Sequence, residues 1–113
     1  MDIEAIRSYC LGMDEVTEGF PFGEETLVFK AGGKIFLLLA LDEQPARMNV
    51  KCDPDRAIEL RETYASVLPG YHMNKKHWNT IVLDGELDAA AVKHEIAHSY
   101  QLVTAKKTKT KKS

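Results

Sequence analysis

The residues His94-Glu95-Ile96-Ala97-His98 form the pattern H-E-x-x-H, in which two histidines one helical turn apart bind zinc and the glutamate activates a water. That chemistry needs a helix, a face turned into the protein and a third protein ligand. Asp88 can cap a helix carrying the motif, with Leu87 placed to pack on Val92 as a hydrophobic staple. At about 100° per residue, with Val92 at zero, Val103 falls at about 20°, Ile96 at about 40° and Tyr100 at about 80°. His94 then falls at about 200° and His98 at about 240°, opposite the apolar stripe. After His98 come Ser99, Tyr100, Gln101 and a stretch rich in threonine and lysine, so a third ligand would have to come from upstream. The motif reads as two exposed histidines, and no metal is expected.

A second stretch, Pro69-Gly-Tyr-His-Met-Asn-Lys-Lys-His-Trp-Asn-Thr-Ile81, gathers two histidines, two adjacent lysines, two asparagines and the chain's single tryptophan. His72 and His77 have no cysteine or acid near them in sequence, so a structural or surface role outweighs chelation. Ser8, Ser66 and Ser99 sit in no nucleophile-elbow pattern, and Gly32-Gly33 joins two strands rather than opening a phosphate-binding helix. The acid pairs Glu24-Glu25, Asp42-Glu43 and Asp53/Asp55 fall at turns and caps, where local structure accounts for them. No catalytic residue and no cofactor is expected.

These residues must be held by elements whose pattern is clear. Ile3, Ile6, Cys10 and Met13 recur at helical spacing behind Asp2, a helix cap. The region from Gly12 to Gly23 reads as turns. Thr26 to Ala31 and Lys34 to Leu41 flank Gly32-Gly33, a pair suited to the positive backbone angles of a two-residue hairpin turn. Leu37-Leu38-Leu39 marks a central strand, apolar on both faces, and Ala46 to Cys52 alternates as a third strand with one wet face. Asp53-Pro54 starts a helix expected to run through Ala57, Ile58, Leu60 and Tyr64 and to stop before Pro69-Gly70. Tyr71 to Asn74 and Trp78 to Leu83 read as a second hairpin turning near Lys75-Lys76. The expected fold is α+β, in two layers: an antiparallel sheet of about five strands with the helices on one face, in the order αβββαββα.

Composition bounds the function. The chain of 113 residues is 44% hydrophobic and 28% charged, as in an ordinary soluble globular domain. Its longest apolar run, Ile35 to Leu41, has seven residues, against roughly 20 for a membrane-spanning helix. The acidic, amphipathic start is unlike a secretory signal, and two distant cysteines fit a reduced cytoplasmic setting. A single domain over residues 1–105 is expected, followed by a lysine-rich tail, 106–113, that reads as disordered and solvated. That tail holds five of the fifteen basic residues; residues 1–105 carry 10 basic against 17 acidic residues, a net of −7.

Phe20-Pro-Phe-Gly23, Gly33-Lys-Ile-Phe36, Asn49-Val-Lys-Cys-Asp-Pro54, Leu60-Arg61, the block from Pro69 to Asn79 and Ser99-Tyr100 together resemble the MmcQ/YjbR family of small bacterial proteins. The resemblance covers nearly the whole chain, from the first helix to about Val103, and rests on the order and spacing of the blocks. It implies a compact α+β domain with two β-hairpin wings, similar to CyaY-like and secretion-chaperone-like folds. By analogy with double-wing proteins it also implies DNA as the partner. The wings would then present Lys30, Lys34, Lys75, Lys76, His77 and Asn79 to phosphates, with Trp78 flanking a groove or stacking on a base. The alternative is a protein partner received on the sheet, with Lys51, Arg61, His72, Asn74 and Asn79 as a polar recognition surface. Trp78 opens a strand that buries one face, and so reads as turned inward. A monomer or weak dimer is expected, with no membrane contact.

Overall fold

Three aspartates start the three helices, as their positions predict. In a computed structural model that describes residues 1–70 and 73–104, Asp2 Oδ1 accepts the Ala5 amide at 2.9 Å ahead of α1 (Ile3–Leu11). Asp53 Oδ2 accepts the Arg56 amide at 3.4 Å ahead of α2 (Pro54–Thr63), with Pro54 in the first turn. Asp88 Oδ1 accepts the Ala91 amide at 2.9 Å ahead of α3 (Ala89–Thr104). Each cap satisfies an otherwise orphaned N–H and contributes about 1 kcal/mol. The lysine-rich segment at 106–113 lies outside the described residues.

The strands are β1 (Val16–Gly19), β2 (Thr26–Ala31), β3 (Lys34–Ala40), β4 (Arg47–Lys51), β5 (Val67–Pro69) and β6 (Trp78–Val82). They form one antiparallel sheet in the order β1-β2-β3-β4-β6-β5. Gly32 at φ 57° and Gly33 at φ 86° make the two-residue turn between β2 and β3, a conformation that L side chains rarely adopt. Leu27, Phe29, Leu37, Leu39, Met48, Val50 and Ile81 face the helices and pack on Ile6, Cys10, Val92, Ile96 and Val103. Burying each large side chain there contributes about 1.5–3 kcal/mol. All three helices lie on this face, and among the described residues none is long and apolar enough to cross a membrane.

A bulge positions α3. The register shifts between Phe29 and Lys30, which leaves Phe36 as an extra residue on β3. Phe36 turns inward, edge-on to Tyr100 with ring centroids 5.5 Å apart. Its carbonyl accepts the Ser99 hydroxyl at 2.5 Å, and the same Ser99 oxygen accepts the Lys51 amide at 2.9 Å. One buried serine thus fixes the helix to two strands.

The order differs from expectation in three places. The stretch read as turns contains β1, whose Thr17 and Glu18 are exposed and give no alternating pattern; Glu18 is instead held by Arg7 of α1 at 2.6 and 2.7 Å. Helix α2 ends at Thr63, because Tyr64 adopts an extended conformation (φ −122°, ψ 126°) and the chain pairs with β6 as β5. The partner of Trp78–Val82 is therefore Val67–Pro69 rather than Tyr71 to Asn74, and the described part of that segment, Met73 and Asn74, belongs to a loop.

Candidate binding face

With the helices on one side, the other side of the sheet is open. Residues opposite one another in antiparallel strands share a face, so one row crosses all six strands: Gly19, Val28, Leu38, Asn49, Thr80 and Leu68. Val28 and Leu38 are buried although they point away from the core. The Thr80 hydroxyl donates to Asn49 Oδ1 and fixes that amide in the middle of the row. On one side of the row lie Lys30, Ile35, Lys51 and Trp78; on the other lie Thr26, Ala40, Arg47 and Val82.

Loops border the face, and the described residues 70 and 73–77 are held by residues expected to bind a partner. Arg61 Nε donates to Asn79 Oδ1 at 2.7 Å, and the same guanidinium donates to the Lys75 carbonyl. Asn79 is 1% exposed, with Nδ2 donating to the Ala57 carbonyl at 3.4 Å. Asn74 Oδ1 accepts the Lys76 amide at 2.9 Å and the His77 amide at 3.3 Å, the local turn that asparagine side chains favour. The His77 carbonyl accepts the Cys52 amide at 2.8 Å, and Lys75 Nζ donates to the Gly70 carbonyl at 3.3 Å. Gly70 is required here: a Cβ on it would stand 2.8 Å from Trp78 Cβ and 3.0 Å from the Trp78 carbonyl oxygen. Arg61, Asn74 and Asn79 are therefore occupied within the fold.

The remaining candidates divide differently. Lys34, Lys75 and Lys76 are exposed, and Lys30, Lys51, His77 and Trp78 are half-buried. Trp78 is not turned into the core: register places it with Lys51, Asn49 and Thr80 on the open face, because Asn79 takes the inward position at that level of β6. His72 lies outside the described residues.

Strand direction gathers five lysines at one end of the sheet, where Asp14, Glu15 and Asp53 also lie. The β2–β3 turn, the end of β4 and the start of β6 lie at one end of the sheet, bringing Lys30, Lys34, Lys51, Lys75 and Lys76 to that end. The loops at the opposite end carry Glu24, Glu25, Asp42, Glu43, Asp84 and Glu86. Near that acidic end is a cleft of about 450 Å³ lined by Phe22, Thr26, Leu38, Ala40, Asp42, Glu43, Asn49 and Met73. Sequence reasoning passed over these residues as strand or turn. The double-sided apolarity of Leu37-Leu38-Leu39 was the available signal that the second face is lined as well.

The H-E-x-x-H segment has a structural role. Glu95 is 4% exposed rather than solvent-facing, and its carboxylate accepts from Arg56 Nη2 at 2.5 Å and Nε at 3.4 Å. His98 is half-buried, and its Nε2 accepts the Asp53 amide at 3.2 Å. The helical wheel missed this because the start of α2 covers a second side of α3. Among the described residues, no three His, Cys, Asp or Glu side chains are grouped so as to hold a metal ion.

Comparisons with known proteins agree on the family. The YjbR family model matches residues 11–102. The chain is 38% identical over 100 residues to the uncharacterized protein YbdF of Escherichia coli O157:H7, covering 88% of this chain and 82% of that one. It is 27% identical over 101 residues to YjbR of Escherichia coli K12, covering 89% and 86%. The crystal structure of Deinococcus radiodurans DR2400, a DUF419 domain, superposes with a TM-score of 0.89 at 40% identity, over 94% of this chain and 80% of that one. A Pseudomonas syringae protein superposes with a TM-score of 0.79 at 25% identity, over 90% and 98%. The blocks at Phe20–Gly23, Asn49 and Pro69–Asn79 supply Phe22, Asn49 and Met73 to one cleft on one face, and by sequence and by fold this chain belongs to the YjbR family.

Proposed function

We propose that the protein is a non-enzymatic cytoplasmic binding module whose lysine end contacts the phosphate backbone of DNA. The supporting observation is the convergence of Lys30, Lys34, Lys51, Lys75 and Lys76, from three separate segments, at one end of the sheet beside the half-buried Trp78. Lysines at strand ends and in a pinned loop neutralise phosphates without reading bases, so binding is weak in sequence preference and strong in salt dependence. Trp78 flanks the site and is available to an unstacked base at its exposed edge. Of the 17 acids, the six named above lie at the far end of the sheet while Asp14, Glu15 and Asp53 flank the lysine end, so the contact rests on the local grouping of lysines and not on the field of the whole domain, which is net −7 over residues 1–105.

The test is fluorescence anisotropy of labelled duplex and single-stranded oligonucleotides over a range of salt. The slope of log affinity against log salt should be about −0.9 per phosphate contacted on duplex, or about −0.7 on a single strand. The variant K51A/K75A/K76A should flatten that slope by about 2–3 on duplex, and the loss of the Lys75–Gly70 hydrogen bond should lower the thermal midpoint by no more than about 4 °C. No binding at low salt, or a slope unchanged in the variant, refutes the proposal.

A further inference from the structure

We propose that the cleft near the acidic end of the open face is a binding site for a small organic amine with an apolar body. Its acids set it apart from the lysine end in charge, while Met73 reaches it from the segment that carries Lys75 and Lys76. Phe22, Leu38, Ala40 and Met73 supply apolar surface, and among the described residues the charged members of the lining are Asp42 and Glu43, both acids. Arg47 lies next to Ala40 by register but is not part of the lining. Phe22 is 65% exposed, a large apolar side chain left in water beside a concave surface.

The ligand class follows from these groups. An ammonium group gains from two carboxylates and from the face of an aromatic ring, and a carboxylate or phosphate loses on both counts. The volume of about 450 Å³ lies within the range of small-molecule sites, roughly 300–1,000 Å³. A folded partner would need about 800 Å² of buried surface on each side, and a cleft lined by eight residues from three strands and the β1–β2, β3–β4 and β5–β6 connections is the size of a small-molecule site. Asn49, held by the Thr80 hydroxyl, supplies a fixed polar group in the lining.

The experiment is a heteronuclear NMR titration of the full chain with 2-phenylethylamine, and with 2-phenylethanol and 3-phenylpropionate as neutral and acidic counterparts. Saturable shifts are expected at Leu38, Ala40, Asn49 and Met73 with the amine, and binding at least ~10-fold weaker with the acid, a difference of ~1.4 kcal/mol. D42N/E43Q should abolish the preference for amine over alcohol. F22A should weaken all three ligands while leaving the thermal midpoint unchanged, since the ring is exposed. Equal binding of amine and acid, shifts centred elsewhere, no saturation, or a preference that survives D42N/E43Q overturns the proposal. Because the lysine end is untouched in these variants, their DNA binding is expected to be retained, so failure here and failure at the lysine end are separate results.

Discussion

Breaking the Arg56–Glu95 pair from its two sides should have unequal effects, because its partners are unequally buried. The Glu95 side chain is 5% exposed and that of Arg56 is 33% exposed. In R56A a nearly buried carboxylate loses both of its donors. Breaking a buried pair in this way costs about 3–5 kcal/mol, and the partial exposure of Arg56 places the expected loss near ~3 kcal/mol. In E95Q the guanidinium can turn to water and the amide still accepts one hydrogen bond, so the loss should be near ~1 kcal/mol. R56A/E95Q carries no stranded charge and should be more stable than R56A by about 1–2 kcal/mol. With about 4 °C per kcal/mol for a domain of this size, R56A should melt roughly 12 °C below the unmodified chain. Urea unfolding followed by the single tryptophan, alongside thermal melts, measures all four proteins. If E95Q destabilises as much as R56A, or the double variant falls below R56A, the pair is not holding α2 to α3 as the geometry indicates.

Three further outcomes follow. Gly70→Ala would place a Cβ 2.8 Å from Trp78 Cβ, so it should cost about 1–3 kcal/mol in urea unfolding, and an unchanged midpoint would show that the β5–β6 contact yields freely. Burial, and after it the charge of Arg56, holds His98 below the ordinary histidine range. The unfolded chain then binds the extra proton first, so stability is complete above the unfolded value of about 6.5 and is lost as pH falls through and below it. H98Q should flatten that acid-side loss as pH falls through about 6.5, and an equal loss in both proteins would assign it to other groups. Burial pushes the Cys10 thiol up to about 12 and Cys52 up to about 11. Both should therefore resist iodoacetamide in the native chain and react once urea unfolds it, and rapid native alkylation would contradict the packing.

Where a single local rule decided the structure, the sequence was legible. Asp2, Asp53 and Asp88 cap helices, and Gly32-Gly33 closes a hairpin, because capping and turn chemistry act over a few residues. Val92, Ile96 and Val103 line the core as their spacing predicts. Features that depend on partners distant in sequence were not legible. Glu95 looks like a solvent-facing acid until Arg56, 39 residues away, is brought against it. Thr17 and Glu18 look like turn residues until Lys30 and Phe29 pair with them. Arg61 and Asn79 have the composition of a recognition surface, and only the folded chain shows that they bond to each other. Trp78 was misplaced by one step of a strand, which is enough to reverse the face of every side chain on it.

The edges of the sheet limit how this protein can take a partner. The outer strand β5 has three residues and ends in Pro69, which has no N–H to offer, and β1 at the other edge has four residues and ends in Gly19. An incoming strand would find too few backbone groups on either side to hold it, which also protects the chain from adding copies of itself edge to edge. Among the described residues, that leaves the side chains of the open face, and not an edge strand, as the surface suited to contact a partner, with selectivity set by charge and shape.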